Sequence, residues 1–168
     1  MLIFEKDSNV FVYRVAGVAI NNNKLLIHRS ILDDFWCLPG GRCEFFEVSH
    51  NTLIREMKEE LNAKIRIIRP LYFVENFFNF EEKNHHELSI FYLMEFHPDA
   101  PLILENEEFS GKECMLEEND RLYGKELELI FKWVDINQLE EIRLYPLFLR
   151  TSLKNIKPYP EHIINWDD

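Results

Sequence analysis

Apolar residues dominate Phe11 to Ile20, stop at Asn21-Asn22-Asn23 and resume from Lys24 to His28. Valine and aromatic side chains favour strands and asparagine suits a tight turn, so this stretch predicts a β-hairpin. The pattern then breaks. In Asp33-Asp34-Phe35-Trp36-Cys37-Leu38-Pro39-Gly40-Gly41 a proline precedes two glycines, which predicts a loop with room for close backbone approach. From about Phe46 to Leu61 the residues Leu53, Ile54, Met57 and Leu61 recur at helical spacing. Asn62 suits the left-handed conformation that ends a helix, so one helix is predicted there. Two more β-rich runs, Ile65 to Phe80 and His86 to Phe96, flank Glu81-Glu82-Lys83-Asn84 and predict a second hairpin whose four-residue turn pairs Phe80 with His85. That register puts Asn76, Phe78 and Phe80 on one face with His85, Glu87 and Ser89. Pro98 to Glu126 has no period and carries nine acidic residues against three basic ones, which reads as a long loop. Leu127 to Val134 predicts a last strand. Asp135 with Gln138 resembles a capping box opening a short helix through Ile142, and a further helix is expected over Pro146 to Lys154. No period is evident from there to Asp168.

Hydrophobic residues make up 46% of the 168, with 14 Phe among them, which is ample for a packed core without covalent staples. With no repeat or linker in sight, one domain over 1–168 is expected. The net charge of -11 repels nucleic-acid backbones and anionic lipid surfaces, so neither is expected as a stable partner. A phosphate-bearing ligand then has to be met by local cations or a metal ion. Cys37, Cys43 and Cys114 are odd in number and lack CxxC spacing, which points to reduced thiols rather than a disulfide framework or zinc cluster. Glu5, Lys6 and Asp7 stand where a signal peptide needs its apolar stretch, so a cytoplasmic location is expected.

The chemistry concentrates in Gly41 to Glu60. On the predicted helix Glu56, Glu59 and Glu60 fall within an arc of about 100°. Three carboxylates that close repel one another, and a hard divalent cation with oxygen ligands relieves the repulsion. The Gly40-Gly41 turn can offer a backbone carbonyl to the same ion. Arg55 on the same helix is placed to pair with Glu47 and to hold the loop against the first turn.

The segment Gly41 to Ala63 resembles the signature of the Nudix hydrolases, G-x5-E-x7-R-E-U-x-E-E-x-G-U with U a bulky aliphatic. Gly41, Glu47, Arg55, Glu56, Glu59 and Glu60 fill six of its seven fixed letters, while Asn62 replaces the last Gly and Ala63 the last aliphatic. Glu75-Asn76-Phe77-Phe78 with His86-Glu87-Leu88 also resembles a bacterial Nudix subgroup of unassigned substrate. The resemblance implies an α/β fold, the Nudix-type α/β/α sandwich around a mixed sheet. It implies Mg²⁺- or Mn²⁺-dependent hydrolysis of a pyrophosphate bond in a nucleoside diphosphate linked to another group. It further implies Glu56, Glu59, Glu60 and the Gly40 carbonyl as metal ligands, and a catalytic set of Glu59, Glu56, Arg55 and Glu47. A non-catalytic nucleotide sensor and an isoprenoid diphosphate enzyme of the same fold are the alternatives; the intact box favours hydrolysis.

Arg42 is a candidate for substrate contact, ahead of Arg14 and Arg29. Phe78 and Glu87 are candidates on the predicted sheet face, whose aromatic planes and hydrogen-bonding groups suit a nucleobase or sugar. The neighbouring strand residues His85 and His86 point to opposite faces and are not expected to share an ion. Cys37 and Cys43 read as small buried hydrophobes. A loop of the length of Pro98 to Glu126 is expected beside the site, with one of Glu105, Glu107, Glu108, Glu117 and Glu118 supplying a further carboxylate. A homodimer is a further expectation.

Overall fold

The structure, a computed structural model, describes residues 1–100, 103–104, 106–114 (of Cys114 the backbone alone) and 126–167. The predicted first hairpin forms as β2 (Asn9–Asn21) and β3 (Lys24–Ser30). Asn22 and Asn23 both adopt positive φ, 50° and 62°, the two-residue turn whose twist suits a hairpin. The second hairpin joins β5 (Ile65–Phe80) to β6 (Lys83–Phe96). Its turn is shorter than expected: Glu81 and Glu82 alone take positive φ, and Phe80 pairs with Lys83 rather than His85. Phe78 therefore pairs with His85 and Asn76 with Glu87, a slip of two residues from the expected register. An even slip leaves every side chain on its face, so the predicted grouping of Asn76, Phe78 and Phe80 with His85, Glu87 and Ser89 stands.

Helix α1 (Ser49–Leu61) starts three residues later than its apolar period suggested, because Phe46 sits at φ 60° and cannot join a right-handed helix. It ends as expected, with Asn62 left-handed at φ 50° and ψ 31°. Leu53 and Met57 are fully buried, each contributing about 1.5 to 3 kcal/mol, whereas Ile54 turns outward.

Several elements were not legible. Within the acidic stretch, β7 (Glu108–Cys114) pairs antiparallel with β8 (Glu126–Asp135), so this part is not loop. Glu105, Glu117 and Glu118 lie outside the described residues. Gly40–Arg42 is a short strand, β4, beside β2 rather than part of a loop, and Ile3–Lys6 forms β1. Asp135 does cap, accepting from the Asn137 amide, but the turn it opens is a 3-10 helix, Ile136–Glu141. The expected helix over Pro146 to Lys154 shrinks to Leu149–Ser152 with a 3-10 turn, Leu153–Asn155. The tail holds a strand, β9 (Glu161–Asp167), parallel to β5.

The strands form one mixed sheet in the order β7-β8-β3-β2-β6-β5-β9, with β1 and β4 also on β2. One core packs α1 through Leu53 and Met57 against Val15, Ala19 and Met94. The other packs the segment from Ile136 to Leu153 against Ala16, Val18, Leu71 and Val74. Val15 and Ala16 are strand neighbours and point to opposite faces, so helices cover both sides, as the expected α/β/α sandwich requires. No helix among the described residues is long and apolar enough to cross a membrane.

Candidate active site

On its side away from β6, β2 pairs with β4 through Arg14–Ala16 and with β3 only at Ile20–Asn21. Gly40 has φ 144°, and a Cβ there would lie 2.2 Å from the Val15 carbonyl oxygen. A Cβ on Gly41 would lie 2.2 Å from the Glu56 carboxyl carbon. The two glycines thus let the strand press against both β2 and the helix carboxylates.

Arg55 organises the helix face. Its Nε and Nη2 donate to the two Glu47 oxygens at 2.9 and 3.1 Å, and Nη1 donates to Glu56 at 2.7 Å and Glu59 at 3.1 Å. Nη2 also donates to the Arg42 carbonyl at 3.2 Å, tying β4 to α1. Glu47 accepts in addition from the Thr52 hydroxyl and the Glu44 amide. The Arg55 fork, foremost, holds the Glu47 carboxyl down at about 2, and Glu47 in turn raises the Arg55 guanidinium.

The three helix glutamates share the site unequally. Glu59 is 57% exposed, the Glu56 side chain 14%, and Glu60 is enclosed at 6%. Burial pushes the Glu56 carboxyl up against the pull of Arg55. Burial, then the charges of Glu56 and Glu113, push Glu60 well above the ordinary carboxylate range. Glu60 is therefore not on an exposed face. Its Oε2 is buried without a hydrogen-bond partner, an arrangement that costs free energy unless something meets that oxygen. The donor set is all oxygen and suits a hard divalent cation: Glu60, Glu56, the exposed Glu59 and the carbonyl of Gly40. Among the described residues no three acidic, His or Cys side chains are already drawn together as a ligand shell; Arg55 holds Glu56 and Glu59, and Arg14 donates to the Gly40 carbonyl at 3.2 Å.

Among the described residues a further carboxylate that acts on Glu60 is Glu113 on β7, which was not among the five expected glutamates; Glu105, Glu117 and Glu118 of those five are outside the described residues. Glu107 and Glu108 pair instead with Lys24 and Lys132 at the surface.

Beside β4 a cleft of about 560 Å³ opens on the face opposite α1. Arg14, Arg42 and Arg143 line it, with Phe78, Glu87 and Ser89, so the expected substrate residues Arg42, Phe78 and Glu87 come together. Arg29 does not; its guanidinium lies 5.2 Å over the Trp36 ring. Burial works against the charge of Arg14, yet Glu87, with Glu113 and Glu60 behind it, holds the guanidinium protonated. Arg14 thus stands between the cleft and the helix carboxylates. Its signal was present in the sequence as the one charge in the apolar run from Val10 to Ile20. Phe35, Phe80 and Tyr145 meet edge to face at the rim, with centroids 5.9 to 6.2 Å apart. Behind Arg14, His28 is buried and neutral, its value lowered to about 3 by burial and by Arg14. Burial likewise raises Cys37 to about 11 and raises Cys43, so both are unreactive thiols. His85 stacks on Phe78 and His86 on Phe77, on opposite faces as expected.

A family model described as the NUDIX domain matches residues 11–154. The chain belongs to the Nudix family. It is an enzyme of the hydrolase class. No curated protein matches the chain. A Nudix hydrolase from Nitrosomonas europaea is similar over 93% of this chain and 79% of its own, at 14% identity and a TM-score of 0.57. An ADP-ribose pyrophosphatase from Streptococcus suis is similar over 92% and 98%, at 13% identity and a TM-score of 0.53. A UDP-X diphosphatase is similar over 90% and 66%, at 15% identity and a TM-score of 0.53. At these identities the likeness to the Nudix structures is one of fold.

Proposed function

We propose that the protein hydrolyses the pyrophosphate bond of a nucleoside diphosphate linked to another group, using Mg²⁺ or Mn²⁺. The observation that carries the reading is the enclosed, unpartnered Glu60 oxygen near Glu56, with the cleft on the other side of β4 where Arg14, Arg42 and Arg143 stand beside Asp34, Glu87 and Asp167. Glu56, Glu59, Glu60 and the Gly40 carbonyl would hold the cation. When bound, it neutralises the phosphates and lowers the pKa of an attacking water. The chain's residues do the rest. Arg55 and Glu47 fix the carboxylates through the hydrogen bonds described above, a positioning role. Glu59, more than half exposed, is the helix carboxylate open to take up a water proton. Arg42 and Arg14 meet phosphate oxygens, which the overall charge would otherwise repel. Phe78 and Glu87 face the base or sugar. The substrate is a small nucleotide derivative, and the setting we assign is cytoplasmic.

The test is a hydrolysis panel with Mg²⁺: ADP-ribose, nucleotide sugars, dinucleoside polyphosphates and nucleoside triphosphates, products separated. Release of a nucleoside monophosphate from a diphosphate conjugate is expected. Cleavage of triphosphates alone overturns the substrate class, and nucleotide binding without any cleavage favours a sensor.

A further inference from the structure

The sheet face that carries α1 is covered over only part of its width. Beyond the helix a single row of partners crosses five strands: Trp166 on β9, Phe77 on β5, His86 on β6, Phe11 on β2 and Phe4 on β1. Phe77 stacks between its neighbours, 4.2 Å from Trp166 and 4.5 Å from His86 by ring centroids. Phe11 meets His86 edge-on at 5.3 Å. The next rows continue the same face with Ile164, Glu75 and Leu88, then His162, Phe73 and Ile90. The exposures are large for such residues: Phe4 55%, Phe73 42%, Leu88 39%, Ile164 62% and Trp166 68%.

We infer that this face is where a second copy of the chain docks. Aromatic side chains carry about 150 to 250 Å² each, so Phe4, Phe73 and Trp166, with the half-exposed aliphatic chains of Leu88 and Ile164 beside them, leave on the order of 500 Å² of apolar surface open to water. A standard interface takes about 800 Å² from each partner, about 65% of it apolar in homodimers, which is again on the order of 500 Å². The patch is also at the upper end of what monomers leave uncovered. Charge selects the partner. Two copies at -11 each repel where acidic side chains meet, and the three rows of this face carry one acidic residue among apolar, aromatic and histidine side chains. Its acidic residue at the centre, Glu75, is already bonded to His162 at 2.8 Å. A patch on one sheet face, self-matched about a two-fold axis, satisfies the closure a homodimer needs. An anionic membrane is disfavoured by the same net charge. The cleft of the proposed reaction lies on the opposite sheet face, so docking leaves it open.

Sedimentation velocity of the full chain tests this from about 1 to about 100 µM. The wild type is expected to pass from monomer to dimer in that range. Trp166→Glu and Ile164→Glu, made separately, should each raise the dissociation constant at least about tenfold. Leu32→Glu, equally exposed at 64% but away from the face, should not. Far-UV circular dichroism at low concentration confirms folding, and Ile164 lies outside the ring stack should Trp166→Glu unfold. A wild type that stays monomeric overturns the inference, whether or not it binds neutral phosphatidylcholine vesicles. So does a dimer that both face variants leave intact.

Discussion

Glu59 and Glu60 are adjacent on α1, yet substituting them should have different consequences for the apoprotein. Glu60→Gln removes a buried carboxyl whose ionisation is opposed by burial and by Glu56 and Glu113, so the metal-free melting temperature should rise, by about 2 to 4 °C for each kcal/mol of that penalty relieved. Glu59→Gln, at an exposed position, should leave it unchanged. Both should lower kcat by on the order of 10² or more, and Glu60→Gln should lose the rise in melting temperature that Mg²⁺ brings to the wild type. Melts with and without Mg²⁺, beside steady-state kinetics, check all of this; a Glu60→Gln protein that melts far below wild type would make Glu60 a structural residue. Two other side chains, Glu47 and His28, carry large acid-linked shifts. Glu47 has a folded value of about 2 against an ordinary 4.5, so its stabilisation is complete above pH 4.5 and is lost as pH falls toward 2. Neutral His28 has about 3 against 6.5, and the unfolded chain takes its proton first, so stability falls from pH 6.5 downward at up to about 1.4 kcal/mol per unit. In His28→Leu the decline between pH 6.5 and the carboxylate range should be shallower, with His85, also lowered by burial, still contributing, which denaturant titrations between pH 4 and 7 would show.

At the scale of elements, the two hairpin turns use the same backbone with different residues. Asn22-Asn23 tolerates positive φ, whereas Glu81 at 49° and Glu82 at 64° carry side chains that disfavour it, at about 1 to 2 kcal/mol per residue. Glu81→Asn with Glu82→Gly should therefore stabilise the protein by about 1 to 2 kcal/mol, read from denaturant midpoints, with kinetics unchanged. The same turn explains why the pattern of residues misplaces the register. Nothing in Glu-Glu signals a two-residue turn, so the polar stretch through Asn84 looks like a longer one. The alternation of side chains survives because the error is even. Box chemistry was legible for a related reason: Glu47, Arg55 and Glu56 interact over one loop and two helical turns, and local spacing encodes local contact. Glu113 was not, since it reaches Glu60 through a strand pairing formed far along the chain.

The whole molecule adds contacts that no local window contains. β9 pairs in parallel with β5, nearly ninety residues earlier, and its half-exposed alternation carries too little apolar signal to stand out. The cleft is likewise assembled from β2, the loop before β4, β5, β6 and the segment around Arg143. Only its β5–β6 wall was readable, from one hairpin. Charge acts at this scale too. An anionic substrate approaches a chain of net charge -11, and in the cleft it meets the guanidinium groups of Arg14, Arg42 and Arg143. The repulsion is long-ranged and screened by salt, with a Debye length of about 30 Å at 0.01 M and about 10 Å at 0.1 M. The arginine contacts, made at hydrogen-bond distance in a partly enclosed cleft, are screened far less. With Mg²⁺ held saturating, kcat/KM for a nucleoside diphosphate conjugate should therefore rise as monovalent salt goes from about 0.01 to about 0.1 M, through a fall in KM at constant kcat. Arg42→Ala should raise KM at both salt concentrations while keeping that positive slope, because the distant acidic surface is unchanged. A kcat/KM that drops with salt in the wild type would mean that the field around the cleft mouth is attractive, and that the arginines outweigh the acidic surface beyond contact range.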